Sequence, residues 1–200
     1  MDNLDLDVLK TALAWTEQGR RATLGTVVRT WGSAPRPVGA MMAIRDDGQV
    51  IGSVSGGCIE DDLIAQVKDG KLAAKMPESI RYGVTADQAN QFGLPCGGTV
   101  EMVLEPLSPQ SDIRGLLADL EGHRIIRRTL DLSTGITQRR DALGADGLKF
   151  DGKTLVTIHG PKYRLLIIGA GQLSRAVAQM ARDGTSVPQR PWTASRARRW

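Results

Sequence analysis

Residues 54–63 read VSGGCIEDDL: two glycines stand directly before Cys58, and an acid-rich run with apolar residues at helical spacing follows. The preceding "VIGSV" (50–54) is β-like, and Ile59, Leu63, Ile64 and Val67 share one helical face. The stretch therefore predicts a strand, a glycine turn and a helix that stops at Gly70. Gly56 and Gly57 let backbone N–H groups face outward without side-chain obstruction, where the first turn of a helix leaves its own donors unpaired. That makes an expected anion seat, in which the positive helix end would favour Cys58 as thiolate. The plainer reading of the same residues is a small apolar side chain in a turn that needs glycine.

Cys96 repeats the pattern. It lies in "GLPCGGTVE" (93–101), followed by Gly97, Gly98 and a β-like run, so both cysteines of the chain occupy glycine-rich turns. Two cysteines are too few for a disulfide framework, and no CxxC pair suggests zinc. His123 and His159 stand in unrelated contexts and are expected at strand ends or on the surface. Glu60 and Glu101 adjoin the two turns and are expected as surface acids rather than proton carriers. A third unusual segment is "WGSAPRPVGAMM" (31–42), where prolines on both sides of Arg36 stiffen a loop. Such a loop lowers the entropy cost of aiming a guanidinium, with the neighbouring Ser33, at a phosphate or carboxylate; the alternative is an ordinary connection with a solvated arginine.

Working outward, Asp5 or Asp7 is expected to cap a helix through about Gln18, and "ATLGTVVRTW" (22–31) reads as a strand. "MMAIR", "DDGQ" and "VIGSV" read as a hairpin, "SIRYGV" (79–84) and "TVEMVLEPL" (99–107) as strands. Ser111 is expected to cap a helix through about Leu120, and β-like pieces continue to "TLVTIH" (154–159). "YRLLIIGAGQLSRAVAQMAR" (163–182) then predicts a buried apolar strand, a glycine turn and a helix. Gly169, Gly171 and Ser174 there stand as nucleotide-binding candidates in a Rossmann-type turn. No Asp or Glu follows Asp183 to hold a ribose, so NAD(P) is not expected as a cofactor. The fold class is α/β: an α+β domain with a mixed sheet over 1–160, the first β-turn-α unit of a Rossmann-like domain over 161–183, and a basic disordered tail over 184–200.

Composition narrows the function classes. A hydrophobic content of 41% supports a proper core, and the net charge of +4 equals the four arginines of the tail, Arg190, Arg196, Arg198 and Arg199. The remainder is balanced, which argues against a nucleic-acid partner. No apolar run approaches the roughly 18 residues of a membrane span, and the acidic start is unlike a leader, so a cytoplasmic location without a membrane partner is expected.

The segments "GSAPRPVGAMM", "GSVSGGCIE", "LPCGGTVEMVLEP" and "YRLLIIGAGQLSRAVA", in that order, resemble the XdhC/CoxI family over about residues 6–182. Members of that family are accessory proteins of molybdenum hydroxylases such as xanthine dehydrogenase. The resemblance implies an N-terminal XdhC/CoxI domain followed by a Rossmann domain. It further implies a non-enzymatic chaperone that binds the molybdenum cofactor (molybdopterin), supports its sulfuration with a cysteine desulfurase, and delivers it to a xanthine dehydrogenase-type molybdoenzyme. It carries the family's glycine-flanked cysteines onto Cys58 and Cys96 as candidate molybdenum contacts, with Gly56, Gly57, Gly97 and Gly98 shaping their turns. Arg36 and Ser33 join them as candidate cofactor-binding residues. Exposed strand edges and a half-built second domain, with apolar residues 165–168, point to a homo-oligomer. The rival readings are an NAD(P)-binding oxidoreductase resting on Gly169–Ser174, a thiol redox sensor in which Cys58 and Cys96 form a disulfide, and a purely structural protein.

Overall fold

The structure is a computed structural model that describes residues 3–32, 36–57, 59–83, 98–143, 146–161 and 166–183. Among its described residues the first unit, Met1–Lys162, holds two antiparallel sheets and three α-helices; the second, Tyr163–Trp200, holds one described helix. The elements are α1 (Asn3–Glu17), β1 (Ala22–Trp31), β2 (Met41–Arg45), β3 (Val50–Gly52), α2 (Glu60–Lys68), β4 (Glu78–Tyr82), β5 (Thr99–Pro106), α3 (Ile113–Glu121), β6 (Ile126–Asp131), β7 (Thr137–Asp141), β8 (Lys149–Phe150), β9 (Thr154–His159) and α4 (Gln172–Asp183).

The first sheet has the order β3-β2-β1-β5-β4 and the second β7-β6-β9-β8. The mixed helix-and-strand class is as expected, but every described ladder is antiparallel, where a mixed sheet was expected. β1 and β5 are buried along nearly their whole length, as strands of a sheet covered on both faces are. On one face, Ile59 and Leu63 close over Met42, Ile44, Val100, Met102 and Leu104, all of them almost wholly buried. Each such side chain contributes about 1.5–3 kcal/mol. On the other face, Val28 and Val103 meet Leu130 and Leu155 of the second sheet. Arg45 also stacks over Trp15 of α1, 5.3 Å from the ring centroid. Gly52 ends β3 under α1, where a Cβ would lie 2.6 Å from the Val8 methyl and closer still to the Met41 carbonyl.

Several expected boundaries move. α1 starts at Asn3, ahead of the expected Asp caps. α3 is capped by Asp112, whose carboxylate accepts from the Gly115 N–H at 3.3 Å, while Ser111 belongs to the preceding short 3-10 turn. The apolar strand expected before the 169–174 turn is absent over residues 166–170, and Leu166 and Ile168 are exposed. A strand needs a neighbour to satisfy its ladder donors, and none is present among the described residues of that unit. Residues 163–165 and the tail from 184 lie outside the described residues.

Candidate functional site

The antiparallel registers bring three connections to one end of the first sheet. β1 ends there at Trp31, beside the β5 start at Thr99; β2 starts there at Met41, and β3 and β4 end there at Gly52 and Tyr82. The proline loop, the SGGC turn and the segment between β4 and β5 therefore all leave from the same end. A cavity of about 200 Å³ lies at the opposite end, lined by residues such as Arg21, Asp46, Lys75 and Ser108, and includes none of the candidates read from sequence.

The glycine turn is built around an internal anion. The Glu60 carboxylate accepts from the N–H groups of Val54 (3.2 Å), Ser55 (2.9 Å), Gly57 (3.0 Å) and Ile59 (3.2 Å), from the Ser53 hydroxyl (2.8 Å), and from the Ser55 hydroxyl. Gly56 donates to the Ser53 hydroxyl oxygen at 2.9 Å. The donors expected to face an external anion are thus spent on the protein's own carboxylate. Burial alone would raise the Glu60 pKa, but the hydrogen bonds from Ser55 and Ser53 more than offset it and push the carboxyl down to about 2. Glu60, expected at the surface, is buried at 9% exposure. Gly57 has φ +106° and a Cβ there would meet nothing within 4 Å, so its backbone stays open to an approaching group.

Two contacts tie the neighbouring loops to this turn. Arg36 donates from Nε to the Ser53 carbonyl at 3.3 Å, which places the proline-loop guanidinium beside the turn. The Tyr82 hydroxyl donates to Asp62 Oδ2 at 2.6 Å, joining the first turn of α2 to the end of β4. Ile59, next to Cys58, is buried in one cluster with Tyr82 and Val100. Gly98 lies at the β5 start. Cys58, Cys96, Gly97 and Ser33 lie outside the described residues.

Glu101, also expected at the surface, is buried at 4% exposure and pairs with Arg29 at 3.3 Å and Arg81 at 3.1 Å. Neither buried glutamate was legible as such: an acid beside a glycine turn reads as solvated until its donors are known. The spacing of Glu60 from Ser53 and Ser55 was the available signal. His159 ends β9, as a strand-end residue; burial, then the Arg128 charge, pushes it down to about 3, and its ring lies 2.7 Å from the Thr157 hydroxyl. No group of three or more metal-ligating side chains occurs among the described residues. In the second unit the Ser174 hydroxyl stands 3.5 Å from where a Gly169 Cβ would lie, and the Arg175 N–H donates to the Gly171 carbonyl at 3.2 Å.

The family model described as "XdhC and CoxI family" matches residues 15–83, which run from the end of α1 through β4 and include the proline loop and the SGGC turn. The chain belongs to the XdhC and CoxI family. This XdhC and CoxI family chain is 30% identical over 179 residues to the Escherichia coli "Molybdenum cofactor insertion chaperone PaoD", an alignment covering 87% of this chain and 54% of that protein. It is 30% identical over 100 residues to a Bacillus subtilis protein described as a probable xanthine dehydrogenase component, covering 48% of this chain and 30% of that one. The chain spans about half the length of the first of these relatives and less than a third of the second. A crystal structure described as a xanthine dehydrogenase from Bacillus halodurans shares the fold, with TM-score 0.59 at 22% identity, over 78% of this chain and 53% of that one. No helix among the described residues is long and apolar enough to cross a membrane.

Proposed function

We propose that the chain is a carrier that holds the molybdenum cofactor as cargo at this end of the sheet, supports its sulfuration by a cysteine desulfurase, and passes it to a xanthine dehydrogenase-type enzyme without catalysing a reaction of its own. The observation that carries the reading is the convergence of the proline loop, the glycine turn and the β4–β5 segment, joined by the Arg36–Ser53 and Asp62–Tyr82 contacts. The name of the Escherichia coli relative supports it.

The residues present fit such a cargo. Molybdopterin offers a phosphate, a flat pterin and a soft dithiolene that carries the metal. Arg36 uses one nitrogen on the Ser53 carbonyl, and among the described residues its other guanidinium donors are left for an anion. Gly57 admits close approach of a ring or phosphate to the backbone, with Gly56 and Gly98 beside the same loops. Because Glu60 takes the turn's N–H donors, its part is to hold the turn open and rigid. Cys58 and Cys96 are proposed as the soft donors, with Ser33 and Gly97 completing the loops. Gly169, Gly171 and Ser174 are proposed to play no part in holding the cargo.

Replacing each cysteine by alanine and measuring cofactor retained through gel filtration tests the role of the thiols. Loss of retention in either variant supports it. Retention unchanged in both removes the thiols from the mechanism.

A further inference from the structure

The register of β1 against β5 shifts between Val27 and Arg29. Val27 opposes Met102 on the face covered by α2; after the bulge, Arg29 opposes Glu101 and Trp31 opposes Thr99, on the opposite face. A one-residue shift turns every later side chain over, which is what a bulge does beside a working site. Without it, Arg29 and Trp31 would point to the α2 face.

The side chains gathered there form an ordered surface. Buried Glu101 pairs with Arg29 and with Arg81, and Arg29 also donates to the Phe150 carbonyl at 2.7 Å and stacks on the Phe150 ring. Arg81 lies over the Trp31 ring, 5.6 Å from its centroid. Trp31 remains 44% exposed and the Arg81 side chain 53% exposed. Two guanidiniums against one carboxylate leave a net positive charge, fixed in place beside an open indole. The terminal nitrogens of Arg81 have no hydrogen-bond partner among the described residues. An exposed indole next to a pinned, underused guanidinium suits a flat heteroaromatic ring that bears a phosphate.

We propose that Trp31 and Arg81 form a stacking platform for the pterin of the cargo, with Arg81 reaching its phosphate and Glu101 acting as a positioning residue for both arginines. This rests on the carrier reading above and names the part of the cargo that this strand end takes. The platform borders the same sheet end as the three loops, because Trp31 leads into the proline loop and Thr99 and Tyr82 bound the β4–β5 segment.

The test is equilibrium dialysis of the full chain against molybdopterin released anaerobically from a purified molybdenum hydroxylase, against pterin-6-carboxylate as a metal-free ring, and against AMP. Trp31→Ala should weaken molybdopterin binding about tenfold and Arg81→Gln about fivefold, on the scale of losing one stacking surface or one charge-assisted contact. Trp31→Phe, which keeps an aromatic face and guards against a folding defect in the alanine variant, should stay within about threefold of wild type. Molybdopterin binding unchanged in Trp31→Ala overturns the platform and leaves the carrier reading standing. Wild-type binding of pterin-6-carboxylate, lost in Trp31→Ala, without any binding of molybdopterin leaves Trp31 as a pterin-stacking surface but overturns the carrier reading and, with it, the assignment of the platform to the cargo. AMP bound as tightly as molybdopterin overturns the assignment to a pterin, and binding of none of the three overturns both proposals.

Discussion

The Tyr82 hydroxyl donates a 2.6 Å hydrogen bond to Asp62, so that the last residue of β4 holds the first turn of α2. Gln66 donates to the same carboxylate oxygen at 2.5 Å. Burial, and then the bond to Asp62 and its charge, push the Tyr82 phenol well above its ordinary value, which keeps it a donor at any physiological pH. Tyr82→Phe and Asp62→Asn should each lower stability by about 1–2 kcal/mol, with a coupling of about 0.5–1 kcal/mol in the double-mutant cycle. Urea unfolding of the four proteins measures this, and strict additivity would show that the pair does not join the two elements.

Glu60 should matter more than its position beside a glycine turn suggests. Glu60→Gln keeps the shape but removes the charge and turns an NH2 group toward backbone donors. It should cost about 2–4 kcal/mol, because several buried N–H groups then lose a charge-assisted acceptor. Chemical unfolding gives the cost, and a loss under about 0.5 kcal/mol would mean that the turn forms without the carboxylate.

Between the two sheets, Arg128 and Glu105 form a buried bidentate pair at 2.9 and 2.5 Å, with Arg128 also donating to the Ser111 carbonyl at 3.0 Å. Removing one partner strands the other charge. Glu105→Ala should therefore destabilise the first unit by about 3–5 kcal/mol, whereas truncating an exposed pair such as Lys71–Asp69, whose charges are screened by solvent, should leave stability nearly unchanged. Thermal and urea unfolding of the two variants side by side tests the contrast.

Acid should weaken the fold through His159 first. Its native pKa is pushed from 6.5 down to about 3, so below pH 6.5 the unfolded chain binds a proton that the native chain refuses. Stability is complete above pH 6.5 and falls by about 1.4 kcal/mol per pH unit below it, or about 2 kcal/mol by pH 5. Glu60, lowered from 4.5 to about 2, adds its own loss only below about pH 4.5, as its carboxylate protonates on unfolding. His159→Gln should flatten the curve between pH 6.5 and 5. A wild-type stability that does not change over that interval would contradict the buried neutral imidazole.

The parts of the fold legible in the sequence are those set by local pattern. The β-branched run in 22–31, the β-like run in 99–107, the DDGQ turn and the apolar stripe from Ile59 to Val67 each predict the element that forms. The two glycine turns and the proline loop were visible as candidates because glycine and proline carry their backbone demands with them. What stayed hidden depends on partners far along the chain. Glu60 and Glu101 read as solvated acids because their donors come from folded turns and a neighbouring strand. The bulge that re-aims Arg29 and Trp31 depends on β5, some 70 residues on. The strand expected before Gly169 had an apolar pattern but no sheet to join among the described residues of its unit.

The central claim is that the loops at one sheet end hold the molybdenum cofactor. Its most direct test is to purify the chain from a molybdenum-replete host and measure metal and oxidised pterin per chain, with Arg36→Gln beside it. The account predicts molybdenum and pterin each near one equivalent, falling several-fold in the variant. A well-folded chain with neither above background would contradict it.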